Sequence, residues 1–208
     1  MIQGYVGHSK PTMDIDLILI SRRRWLMGGT RYNARGVDDE GNAANFVESE
    51  QLVVRTKYNK ETDTKKVSTY SFTQLRGSIP FHWTQLDGKI KMDRSIEAST
   101  EVFLKHTDSI LNDYESDRFL MINLLARQQA HEENLTVGLR RLLEETTPIL
   151  SKRGKRIDYD YFDFHYEYKR GGGTVHLETY INEQLRNLYL GDIGLFQENA
   201  AFNYSDDM

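Results

Sequence analysis

Phe119-Leu120-Met121-Ile122-Asn123-Leu124-Leu125 is an apolar run of strand length, and the segment after it decides the fold class. Leu135, Leu139, Leu142 and Leu143 recur at i, i+4, i+7 and i+8, which predicts an amphipathic helix over roughly Glu132 to Leu150. The aromatic stretch Ile157 to His165 then reads as a second strand. Strand, helix, strand in that order is a βαβ unit, so the sheet here is partly parallel. Downstream, Leu177, Ile181, Leu185, Leu188 and Tyr189 form another helical stripe closed by Gly191. The tail from Gly191 to Met208 shows little periodicity and no capping element. Upstream, Ile96, Phe103, Ile110 and Leu111 have helical spacing, with Ser95 placed to cap the start.

The first third has a different texture. Ile15-Asp16-Leu17-Ile18-Leu19-Ile20 reads as a buried strand, Phe46 to Val54 as another, and Val67 to Leu75 as a third, with Pro80 as a stop. The polar Tyr58 to Lys66 between the last two is expected to be an exposed hairpin loop. The reading is an α/β fold: an antiparallel, β-rich first third, then alternating strands and helices on a mixed sheet. No repeat and no Pro- or Ser-rich linker divides the 208 residues, so one domain is expected.

Composition narrows the function classes. Hydrophobic residues make up 38% and charged residues 28%, and the mean hydropathy is −0.63. No run approaches the roughly 20 apolar residues of a transmembrane helix. Residues 1–10 lack the basic-then-apolar layout of a secretory signal, so a cytosolic location is expected. A net charge of −4 gives the whole chain no pull on nucleic acid or anionic lipid, yet Arg22, Arg23, Arg24, Arg31 and Arg35 crowd one segment. Such a cluster is either a solvated surface or a local phosphate site.

With no cysteine there is no disulfide, thiolate metal site or cysteine nucleophile in these residues. His8, His82, His106, His131, His165 and His176 show no zinc-binding spacing, and no metal is expected. Asp158, Asp160 and Asp163 are a weak metal trio, because strand alternation puts Asp163 on the other face from the first two. Gly171-Gly172-Gly173-Thr174 lacks the Lys-Ser or Lys-Thr of a nucleotide-binding loop and reads as a flexible turn.

Two segments combine glycines with arginines suited to bidentate phosphate contacts: Gly29-Thr30-Arg31-Tyr32-Asn33-Ala34-Arg35-Gly36, continuing from Gly41 to Gln51, and Ser71 to Trp83. In sequence and order they resemble the Sac-domain phosphoinositide phosphatases, which carry runs like "RAGTRYxxRGxDxxGxxANFVETEQ" and "SFxQxRGSIPxFWxQ". Phe162-Asp163-Phe164-His165, with Glu167 and Lys169, is similar to that family's "FDFHxExxK" element. Departures are Arg24 for a usual Ser, Met27 for Arg, Gly28 for Ala, and His82 before Trp83. The triple glycine replaces an "RWD"-like stretch.

The resemblance implies hydrolysis of a phosphate monoester on a phosphatidylinositol phosphate, most often the 4-phosphate, at the cytosolic face of an internal membrane. It implies a thiolate nucleophile on a C-x5-R loop ("NCxDCLDRTN"), with no metal or other cofactor. By family spacing that loop falls beyond Phe202, so these residues are expected to be part of a Sac domain, without its N-terminal subdomain or its nucleophile, and inactive alone. Arg31, Arg35 and Arg76 are candidates for an electropositive wall around the headgroup; alternatively they bond carbonyls and the acids Glu48 and Glu50. Asp163, His165 and Lys169 are supporting candidates, with Asp163 and His165 anchoring a strand end or taking part in catalysis. The other readings are a non-catalytic phosphoinositide-binding or interaction module and a remnant that does not fold.

Overall fold

The computed structural model describes residues 3–29, 34–86, 89–126, 130–170, 178–179 and 196–203. The chain divides into two compact units, one of residues 1–24, 47–76 and 191–208, the other of residues 25–46 and 77–190.

The first unit is an antiparallel sheet in the order β1-β2-β3-β4-β9. β1 spans Gly4–Thr12, β2 Ile15–Arg23, β3 Val47–Asn59, β4 Thr64–Arg76 and β9 Phe196–Asn203. β2 is rich in isoleucine and leucine and β4 in β-branched and aromatic residues, and their register with β3 puts Leu17, Val53 and Tyr70 on one face and Ile18 and Leu52 on the other. The expected hairpin loop is shorter than Tyr58 to Lys66, because Asn59 pairs with Thr64 and leaves only residues 60–63 to turn. Asn59 Oδ1 accepts from the Glu61 amide at 2.9 Å, Asp63 takes φ +50°, and Tyr58 hydroxyl bonds Asp63. That local chemistry lets both strands run past their apolar parts. The tail is not without structure either: β9 zips onto β4 from Ser71↔Phe196 to Thr64↔Asn203. Backbone pairing needs no side-chain period, so no pattern of residues announces this strand.

The second unit holds every buried residue among those described. Phe81, Trp83, Ile96, Phe103, Leu135, Leu139, Leu142 and Leu143 form its core. Truncating any of the large ones to Ala costs about 2–5 kcal/mol by the usual cavity argument. α1 (Ile96–Asp113) starts where expected, with Ser95 Oγ accepting from the Ala98 amide at 3.2 Å. α2 (Ala130–Lys152) buries the leucine stripe. It connects β7 (Arg118–Asn123) to β8 (Arg156–Tyr161), which pair in parallel from Arg118↔Arg156 to Asn123↔Tyr161. The expected βαβ unit is present. Its second strand ends at Tyr161, short of His165, because Asp163 caps α3 (Phe164–Arg170): its Oδ1 accepts from the Tyr166 amide at 2.9 Å. A short hairpin of β5 (Trp83–Leu86) and β6 (Lys89–Met92) completes the unit. The triple glycine and most of the stripe from Leu177 to Tyr189 lie outside the described residues. Among the described residues, no helix is long and apolar enough to cross a membrane.

Candidate functional site

The two glycine- and arginine-bearing segments meet around Gly36. Its φ is +68°, and a Cβ there would come within 2.6 Å of the Phe81 carbonyl oxygen, so glycine is required both for its conformation and for the close approach. Gly36 amide donates to Ser78 Oγ at 2.8 Å, and its carbonyl accepts from the Ala44 amide at 2.8 Å. Ser78 amide in turn donates to the Ala44 carbonyl at 3.0 Å. Between Gly36 and Ala44 the chain loops out, organised by Asp38. That carboxylate accepts from the amides of Glu40 (3.1 Å) and Asn42 (2.8 Å) and from Asn42 Nδ2 (2.9 Å). Burial raises the Asp38 pKa, but these hydrogen bonds outweigh it and hold the carboxyl below its ordinary 3.8. Gly41, at φ +82°, lies against the α1 backbone and offers its carbonyl to His106 Nδ1 at 2.9 Å. Much of the motif's glycine and aspartate therefore serves to fold this loop.

Arg35 directly precedes this loop. Its Nη2 donates to Gln85 Oε1 at 2.6 Å, and its guanidinium lies 5.4 Å from the centroid of the Trp83 ring. Trp83 is itself fixed by donation from Nε1 to the Ile79 carbonyl at 3.1 Å. Stacking on an indole and a hydrogen bond to an amide orient the guanidinium. Here a cavity of about 370 Å³ opens, lined by Arg35, Val37, His82, Trp83, Thr84, Gln85 and Asp93 together with Met27, Gly28 and Ala34. Thr84 Oγ1 donates to Asp93 Oδ1 at 3.1 Å. His82, 7% exposed, places Nε2 3.6 Å from Asp39 Oδ1, and the same oxygen binds Arg94 Nη1 at 2.8 Å.

Arg31 is outside the described residues. Arg76 is exposed at the end of β4, in the first unit. Glu48 and Glu50, the acids offered as partners for the arginines, are bound by Arg22, at 3.1 Å for Glu50. Arg35 turns instead to Gln85 and Trp83. Asp163 is 5% exposed and caps α3, while His165 and Lys169 are exposed on that helix. The α3 residues do not line the Arg35 cavity. Asp158 is an ion-pair partner of Arg118 and Arg156, and among the described residues no cluster of acids and histidines is arranged to hold a metal.

Sequence reasoning does not single out Gln85, Asp93, Asp39 or Arg94. Gln85 is legible, since it closes the second motif run; Asp39 and Arg94 are far apart in sequence and meet only in the fold. His82 stands out in the sequence as a departure from pattern, and the structure gives it a place in the cavity wall.

Residues 1–169 match the model of the SacI homology domain. The chain belongs to that family. It is 36% identical to the polyphosphatidylinositol phosphatase INP53 of Saccharomyces cerevisiae over 174 residues, covering 82% of this chain and 14% of that protein. It is 34% identical to the phosphatidylinositol-3-phosphatase SAC1 of the same yeast over 158 residues, 75% of this chain and 23% of the relative. Human synaptojanin-1 is 31% identical over 188 residues, 88% of this chain and 11% of the relative. This SacI homology chain thus spans less than a quarter of the length of each of these three relatives.

Proposed function

We propose that this SacI homology chain is part of a phosphoinositide phosphatase and helps to hold the phosphorylated inositol headgroup. The observation that carries the reading is Arg35, which directly precedes a motif-built loop and lines a cavity large enough for an inositol phosphate. The names of the family relatives, phosphatidylinositol phosphatases among them, supply the substrate class. Arg31 and Arg76 are further cationic headgroup contacts in this reading. Asp163, His165 and Lys169 act in support, Asp163 by fixing the start of α3. The 208 residues contain no cysteine, so the thiolate of the C-x5-R scheme comes from polypeptide outside them. The 4-phosphate is the first position to test, and the working location is the cytosolic face of an internal membrane.

The alternative reading is a non-catalytic phosphoinositide-binding module. Sequencing the transcript through and past the Met208 codon, then measuring phosphate release by its full product, separates the two. An encoded C-x5-R loop and release from phosphatidylinositol 4-phosphate, weakened in Arg35→Ala and Arg76→Ala, supports the phosphatase. Headgroup binding without release, in a product lacking such a loop, supports the module. A folded product that neither binds nor hydrolyses any phosphoinositide sinks both.

A further inference from the structure

Trp25 is 85% exposed. Tryptophan is highly buried on average, so a side chain held out this far is informative. Its exposure is built into the local backbone. The Gly28 amide donates to the Trp25 carbonyl at 3.2 Å, closing a turn, and Met27 within that turn takes φ +48°. The Met27 carbonyl accepts from the Asn45 amide at 3.3 Å, which ties the turn to the motif loop. Met27 and Gly28 then form part of the wall of the Arg35 cavity. The indole is therefore presented one turn from the rim of that cavity.

A solvent-exposed indole is the chemistry of a membrane interface. The ring partitions among headgroups and upper acyl chains, with its N–H toward water. A headgroup-holding cavity reads its ligand at that same depth. We propose that Trp25 is a bilayer-interface anchor that seats the mouth of the Arg35 cavity on a phosphoinositide-bearing lipid surface. This rests on the headgroup reading above and adds a contact that the soluble headgroup does not make.

The two tryptophans make the test spectroscopic, because Trp83 is 5% exposed and Trp25 is not buried. The emission of the chain minus that of Trp25→Ala isolates Trp25. Vesicles of phosphatidylcholine with phosphatidylinositol 4-phosphate, with and without brominated acyl chains, are the membrane probe; inositol 1,4-bisphosphate is the soluble probe. The expected result is long-wavelength Trp25 emission in the free chain, a blue shift on vesicles, and quenching by the bromines. Trp25→Ala should bind vesicles about tenfold more weakly, and Trp25→Phe only slightly more weakly, with unchanged affinity for the soluble headgroup. Equal vesicle binding by Trp25→Ala, or no blue shift on vesicles that do bind, overturns the anchor and leaves the headgroup reading standing. Blue-shifted Trp25 emission before any lipid is added shows that polypeptide covers the ring, and also overturns the anchor. Failure to bind either probe overturns both readings.

Discussion

Nothing in the sequence ranks Arg35 above Arg76 as a headgroup contact, but their surroundings separate them. Arg35 is half-buried and engaged with Gln85 and Trp83, so Arg35→Ala should cost about 1–2 kcal/mol of stability as well as any headgroup contact. Arg76 is exposed, and among the described residues it makes no ion pair; Arg76→Ala should shift stability by less than about 0.5 kcal/mol. Urea titrations of the two variants check this. If Arg76→Ala keeps its stability and turnover by the full product still falls, the loss belongs to substrate binding. Gly36 offers a sharper case. An added Cβ meets backbone oxygen in a conformation that L side chains disfavour, so Gly36→Ala should destabilise by about 2 kcal/mol or more, readable in the same titration. A loss under about 0.5 kcal/mol would mean that the loop can move away from Phe81.

At the scale of elements, Asp163 is the residue whose structural duty is explicit. Asp163→Ala removes the cap of α3 and should cost about 1–2 kcal/mol, while Asp163→Asn keeps the acceptor and should cost only a few tenths. A full-length product that loses turnover in the Asn variant without losing stability would instead give the carboxylate a chemical role. The same residue shows where sequence reading succeeds and stops. The helices α1 and α2 are legible because leucines and phenylalanines at helical spacing must share one buried face. The end of β8 is not, since aromatic content continues past Tyr161 while a single capping carboxylate decides that the backbone turns helical. β5 and β6 escape notice because four-residue strands are too short to display an alternation. In the site, Arg35 is legible from its motif, but the cavity wall around His82 and Asp93, with Asp39 beside it, is made by long-range packing that no local pattern encodes.

Across the whole molecule, several carboxylates are tuned in the same direction. The hydrogen bond from His8 holds Asp16 below its ordinary 3.8. Burial raises the pKa of Asp158, but hydrogen bonds from Arg118 and Arg156 more than offset it and leave it lowered. Asp14, bonded by Thr12, and Asp38 are lowered too. A carboxyl whose folded pKa is depressed adds stability above its unfolded pKa and loses it as pH falls through the folded value. The chain should therefore hold its stability down to about pH 4 and lose it progressively below, as far-UV circular dichroism against pH will read. Asp158→Asn should flatten that acid limb. An unchanged limb would mean that the β7–β8 pair contributes nothing to acid sensitivity.

β9 bears on how the chain is made. β1–β2 and β3–β4 are hairpins, and β3 reaches β2 across residues 24–46, so these four strands can pair early in synthesis, whereas the second partner of β4 is not translated until α1, α2 and the parallel pair have all been made. Through that interval β4 presents an open row of amides and carbonyls, from Thr64 to Ser71, to whatever strand it meets first. The order of synthesis thus leaves the nascent sheet with a sticky edge, and slow elongation between the codons for Ser71 and Phe196 lengthens the time in which a chaperone, or a second nascent copy, can reach it.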